Sequence, residues 1–194
     1  MILAIETIIL CIIFFLLCFG GTGTDDKNLK SYSSYPDKVQ NQIKEIIEYQ
    51  GRFKESNKII VFISNFLLFL PLFFILGLFI RENNFYHNFI CLNIIGQSLN
   101  IFDLLIIDLL WWRNTKRIRF TKIPEKELYQ NPQKHIQSFI RGLILYLIIA
   151  IIDGYILIAI LRIKIAKPAE PVNGQDERRI NAPPLTALPV FAKW

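Results

Sequence analysis

Three aspartates stand inside otherwise oily stretches of this chain: Asp103 and Asp108 within "NIFDLLIIDLLWWRNTKRIRF" (residues 100–120), and Asp153 within "AIIDGYIL". A carboxylate near the middle of a membrane span costs about 2.5–3.5 kcal/mol on insertion scales, so each must point into a bundle or toward water. On a helical wheel with Asn93 at zero, Gln97 falls near about 40°, Asn100 near about −20°, Asp103 near about −80° and Asp108 near about 60°. Gly96 and Trp111 join them in an arc of roughly 140°, while Ile, Leu and Phe fill much of the remainder. Asn93, Gln97, Asn100, Asp103, Asp108 and Asp153 are therefore the candidate ligand or ion residues. Two chemistries fit them. They are hydrogen-bonding groups that tie helices together, or they hold a proton or cation.

The next apolar helix offers partners. Gly142, Tyr146 and Asp153 share a face, and His135 joins it if that helix begins early. With the two helices antiparallel and depth counted from Trp112 and Phe139, Arg141 comes within a turn of Asp108, and Asp153 lies level with Gln97 and Ser98. The expectation is an Asp108–Arg141 pair near the interface and an Asp153–Gln97 hydrogen bond deeper in.

Other chemistries lack their residues. His87 and His135 are expected on opposite sides of a membrane with no cysteine pair beside either, so neither a metal nor a cofactor is expected. "GGTGT" lacks the Lys-Ser/Thr of a phosphate-binding loop, and no Gly-x-Ser-x-Gly occurs. No catalytic residue is assigned, and the chain reads as a non-enzyme. A lesser alternative is a membrane enzyme using Asp108, Arg113, Lys116 and Arg117 around a lipid phosphate. Cys11, Cys18 and Cys91 all fall in apolar stretches and make no disulfide framework.

The elements that must position these groups follow from composition. The 194 residues are 53% hydrophobic, and the apolar residues gather into four blocks at 2–19, 59–80, 88–112 and 139–161. Each is about long enough to cross a hydrocarbon core of roughly 30 Å as a helix, and lipid forces helix on such a segment. The fold expected is an all-α, polytopic four-helix transmembrane bundle. The first block has no Lys or Arg ahead of it, unlike a signal peptide, and reads as a retained helix.

Basic residues set the orientation. The 113–138 loop carries Arg113, Lys116, Arg117, Arg119, Lys122, Lys126 and Lys134; the 20–58 loop carries Lys27, Lys30, Lys38, Lys44, Arg52, Lys54 and Lys58; the 81–88 turn has Arg81 alone. Both long loops are expected in the cytoplasm and both termini outside, although Arg162, Lys164 and Lys167 stand against that for the C-terminus. Trp111, Trp112, Arg113, Lys116, Arg117 and Arg119 are candidate contacts for anionic lipid headgroups. A net charge of +6 beside a membrane points to lipid, and no nucleic-acid partner is expected. In "PDKVQNQIKEIIEYQGRF", Val39, Ile43, Ile46 and Ile47 recur at helical spacing. That pattern predicts a juxtamembrane amphipathic helix, lying on the inner surface or under the bundle, or docking a partner subunit. Residues 1–165 make the transmembrane domain. The proline-rich 166–194 segment reads as disordered or as an appended extension.

The stretch from Asp103 through "IDLLWWRNTKRIR" to "KHIQSFIRG" resembles a group of small bacterial membrane proteins. They too place an Asp-x-Leu-Trp run ahead of a basic loop, with a His at the start of the next helix, and some carry the label transporter permease. Where they have Gly-Thr-Glu-Asp, this chain has "FTKIPEKE". The resemblance implies a multi-pass protein of the bacterial inner membrane and no particular activity. The leading functional expectation is an accessory subunit of a larger membrane assembly, partnered by another membrane protein or by copies of itself. The alternative is a small oligomeric transporter or channel using the intramembrane aspartates.

Overall fold

Asparagines start the long helices. Asn57 Oδ1 accepts the Ile59 amide at 2.9 Å, Asn84 Oδ1 accepts that of Tyr86 at 2.9 Å, and Asn131 Oδ1 accepts that of Gln133 at 3.0 Å. Each satisfies an amide that the first helical turn leaves unpaired. The structure, a computed structural model, describes residues 1–55 and 57–166. Its elements are α1 (Ile2–Gly20), α2 (Asp25–Lys30), α3 (Asp37–Glu45), α4 (Lys58–Ile80), α5 (Phe85–Phe102) and α6 (Gln133–Ala166). Three short 3-10 turns lie at Tyr32–Ser34, Ile47–Tyr49 and Lys126–Tyr129. Beyond Phe102, α5 continues through Asp103–Trp112 with the wider π winding. No strand occurs among the described residues.

Four of these segments are long and apolar enough to cross a membrane: α1, α4, the α5 segment Phe85–Trp112, and the segment ending with α6. The all-α, four-span architecture expected from the apolar blocks is therefore the one observed, and it is compatible with an integral membrane protein. Large apolar side chains such as Ile12, Leu67, Ile94 and Ile144 face outward, as lipid-embedded helices allow. One boundary differs: α6 begins at Gln133, ahead of the expected 139. Pro132 has no amide to leave unpaired at that point, and its carbonyl accepts the Ile136 amide at 2.9 Å. The 166–194 segment lies outside the described residues apart from Ala166.

The bundle core centres on Phe73, Leu92, Ile95, Leu99, Ile149 and Leu157, all fully buried. Helical glycines allow the close approach that interhelical packing in lipid relies on. A Cβ on Gly96 would lie 2.7 Å from Tyr146 Cβ, one on Gly77 would lie 2.6 Å from Leu157, and one on Gly142 would collide with the Asn100 side chain.

The two long loops do not lie flat on the bundle; they fold on each other. Leu29, Tyr35, Val39, Ile43, Ile118 and Phe120 form a second buried core, joined by Tyr129 and Trp112. The Tyr35 hydroxyl donates to the Ile118 carbonyl at 2.8 Å, and the Asn28 amide donates to the Arg117 carbonyl at 2.9 Å. Burial pushes the Tyr35 hydroxyl well above its usual pKa, so it stays a donor. Asp25 receives the Tyr49 hydroxyl at 2.5 Å and the Thr121 amide at 3.0 Å. Burial and then that carboxylate push Tyr49 up to about 12. Lys122–Glu48 and Arg52–Asp26 ion pairs decorate the outside. The two loops thus make a cap at one end of the bundle. The amphipathic helix expected near Val39 exists as α3, but its Val39 and Ile43 are fully buried inside this cap. Burial of that size stabilises by about 1.5–3 kcal/mol per side chain; of the face proposed for docking a partner, Val39 and Ile43 are covered, whereas Ile47, in the 3-10 turn after α3, is 80% exposed.

Arg117 fastens the cap to α1. Its guanidinium donates to the Phe19 carbonyl at 3.2 Å and the Thr22 carbonyl at 3.0 Å, and lies 3.9 Å over the Phe19 ring. The Lys27 ammonium reaches the Gly20 carbonyl at 2.9 Å. Cations at a helix C-terminus satisfy its last carbonyls and its dipole. Gly23 adopts φ +110°, and a Cβ there would come within 2.7 Å of the Arg117 guanidinium.

Candidate functional site

Asp108 and His135 meet at the loop end of the bundle. His135 Nδ1 lies 2.9 Å from Asp108 Oδ1, and both side chains are buried. Trp112 packs edge-on to the imidazole, centroids 5.5 Å apart. Nδ1–H donates to the carboxylate, which fixes the orientation of the ring. Nε2 is buried and has no hydrogen-bond partner among the described residues.

This pair lines a cavity of about 840 Å³ between the cap and the bundle. Cys18 of α1, Tyr32 of the cap, Lys58 of α4, Asp103 and Asp108 of α5, and His135 and Arg141 of α6 contribute to its wall. The π winding of Asp103–Trp112 matters here. Five residues apart, Asp103 and Asp108 would stand roughly 140° apart on an α-helix. Closure by i→i+5 hydrogen bonds brings the later residue back above the earlier one, and both carboxyls face one cavity. Asp103 is half-buried.

The expected pairings are corrected. Asp108 pairs with His135 and not with Arg141, because α6 starts early and carries His135 to the depth of Asp108. Arg141 lines the same cavity and has no ion pair among the described residues. Asp153 does not meet Gln97. The Gln97 amide donates to the Leu143 carbonyl at 3.2 Å and to Asn93 Oδ1 at 3.3 Å. Asn100 likewise donates to the Phe139 carbonyl at 3.1 Å. These contacts set Phe139 level with Asn100, about three turns deeper than a count from Trp112 implies. Asp153 is carried correspondingly toward the other end, where the neighbouring Gly154 packs on Phe85 and Phe89. It is fully buried, and both its carboxyl oxygens lack a hydrogen-bond partner among the described residues. The candidates therefore separate: Asp103 and Asp108 share the cavity, Asn93, Gln97 and Asn100 form hydrogen bonds within or between helices, and Asp153 stands apart.

The basic cluster is also divided. Arg113 exchanges hydrogen bonds with Gln130, at 2.7 Å to its carbonyl and 2.9 Å from its side chain. Arg117 is held on α1, and Trp112 is buried in the cap core. Trp111 packs against Phe15 and Phe19. Lys116 is exposed and Arg119 half-buried. His87, at the end opposite His135, lies 3.5 Å from Glu82 and 3.2 Å from the Ile80 carbonyl.

Two polar positions were not among the candidates. Glu6 puts a carboxylate in α1 with one oxygen buried and unpartnered; its signal is the acid in "MILAIETIIL" itself. Asn88 is fully buried and clasps Glu82 through both its amide atoms, at 2.8 and 2.9 Å. Nothing in its sequence neighbourhood marks it. No protein-family model, curated protein or solved structure matches the chain.

Proposed function

We propose that this protein binds a small polar ligand in the cavity at the loop end of the bundle, as a membrane carrier or ligand-binding component. The observation that carries this reading is the buried Asp108–His135 pair beside an 840 Å³ cavity that Asp103 and Arg141 also line. Helix glue needs buried polar groups paired with each other. Here Asp103, Arg141 and Lys58, none in an ion pair among the described residues, converge on one space, which favours a ligand. The subunit reading drew on the face of Val39, Ile43, Ile46 and Ile47 for docking; Val39 and Ile43 are buried and Ile47 is exposed. With its basic loops in the cytoplasm, the cavity lies on the cytoplasmic side of a bacterial inner membrane; the charge bias and the resemblance support that placement.

Thermal melting of the full chain in nanodiscs, with a millimolar panel of amines, anions and zwitterions, tests the reading. At least one class raises the melting temperature of the wild type and not of Asp108→Asn or His135→Gln. If no class does so, and a distinct membrane protein co-purifies in mild detergent, the subunit reading replaces this one.

A further inference from the structure

The charges on the cavity wall define what would fill it. Lys134 is paired with Asp37 at 2.7 Å, Glu55 with Lys44 at 2.7 Å, and Asp108 with His135. Three lining groups have no ion pair among the described residues: Asp103 on α5, Arg141 on α6 and Lys58 on α4. A simple cation would satisfy Asp103 and face two uncompensated cations. A simple anion would satisfy Arg141 and Lys58 and face the uncompensated Asp103. A molecule carrying both signs meets all three. Asp103 narrows the cationic end further. It is half-buried on the cavity wall, and its carboxylate accepts charge-assisted hydrogen bonds, which an ammonium bearing N–H groups supplies and a quaternary ammonium cannot.

We infer that the cavity binds a zwitterion, with a protonated primary or secondary amine held by Asp103, and a phosphate or carboxylate held by Arg141 with Lys58. Arg141 suits the anionic end because a guanidinium matches a phosphate or carboxylate through two parallel hydrogen bonds. The inference rests on the ligand-binding reading above. The same chemistry is offered by an aminophospholipid headgroup and by a free amino phosphate or amino acid.

Native mass spectrometry of the full chain in phosphatidylglycerol nanodiscs separates the possibilities. The probes are phosphatidylethanolamine, phosphatidylcholine and soluble phosphoethanolamine. Expected is retention of an amine-bearing probe at least tenfold above phosphatidylcholine. Asp103→Asn and Arg141→Gln each lower that retention about tenfold, and Arg141→Lys recovers part of it. Both sites are half-buried and unpaired, so these variants keep the fold, which gel filtration verifies. Retention of phosphatidylethanolamine alone identifies a lipid source, and displacement by phosphoethanolamine a soluble one. Equal retention of the ethanolamine and choline lipids, or indifference to Asp103→Asn and Arg141→Gln, overturns the zwitterion inference and leaves ligand binding standing. Retention of no probe, together with a silent melting panel, overturns both.

Discussion

His135 Nδ1 and Asp108 Oδ1 face each other at 2.9 Å across the contact between α5 and α6, with the aspartate in a π-wound stretch and the histidine in the first turn of its helix. Neither residue's neighbours in sequence require the other. Removing one partner leaves a buried polar group unsatisfied.

Asp108→Ala and His135→Ala are each expected to destabilise the bundle by about 1–3 kcal/mol, the usual cost of stranding a buried donor or acceptor. Asp108→Asn keeps an oxygen facing Nδ1 and should cost less than either. The double alanine variant should cost less than the sum of the two singles, because each single already breaks the same bond. Melting temperatures in one detergent measure all four.

Gly142→Ala places a methyl group against the Asn100 amide that holds the Phe139 carbonyl. Overpacking of that kind costs about 1–3 kcal/mol. Asn100→Ala should relieve most of it in the double variant. A double variant as unstable as the sum of the singles would show that the α5–α6 contact is set elsewhere.

Arg117→Ala should loosen the cap while leaving the four spans intact. Hydrogen bonds from a charged group contribute about 1.5–3 kcal/mol. Arg117→Lys should rescue little, since an ammonium lacks the planar fork that reaches two carbonyls and lies on Phe19. Gly23→Ala should act in the same direction through its φ of +110° and its contact with Arg117. Trypsin cleavage within 20–58 in nanodiscs is the readout, and cleavage as slow as wild type would contradict the role given to Arg117.

Tyr49 gives the cap a pH limit. Its folded pKa of about 12 lies above the unfolded value of about 10. A raised folded pKa favours the fold while the hydroxyl stays protonated in both states. That contribution is complete below about pH 10 and is lost as pH climbs toward 12. Melting curves between pH 9 and 12 should fall more steeply for the wild type than for Tyr49→Phe, which starts less stable.

Single cysteines at Ser34, Asn83 and Thr121, all exposed, test the orientation in a cysteine-free background. Ser34 and Thr121 share the cap, so they must label from the same side, expected to be the cytoplasm. Asn83 should label from the other. Cytoplasmic labelling of Asn83 reverses the topology.

By itself the sequence determined the four spans and the existence of α3, because both depend on local quantities. An apolar run long enough to cross lipid has to be helical, and Val39 and Ile43 fall on one helical face whatever they later pack against. The wheel also placed Gln97 and Asn100 on a face turned toward another helix, where their amides now hold α6 carbonyls. What only the tertiary structure decided was depth and rotation. Asp108 meets His135 because α6 begins at Gln133 and because π winding turns the end of α5; a wheel drawn at one constant angle per residue contains neither fact. Tyr35 and Ile118, 83 residues apart, meet in the cap because burying aromatic surface from two loops at once lowers free energy more than laying each loop in water. That gain belongs to the pair of loops and is written in neither alone.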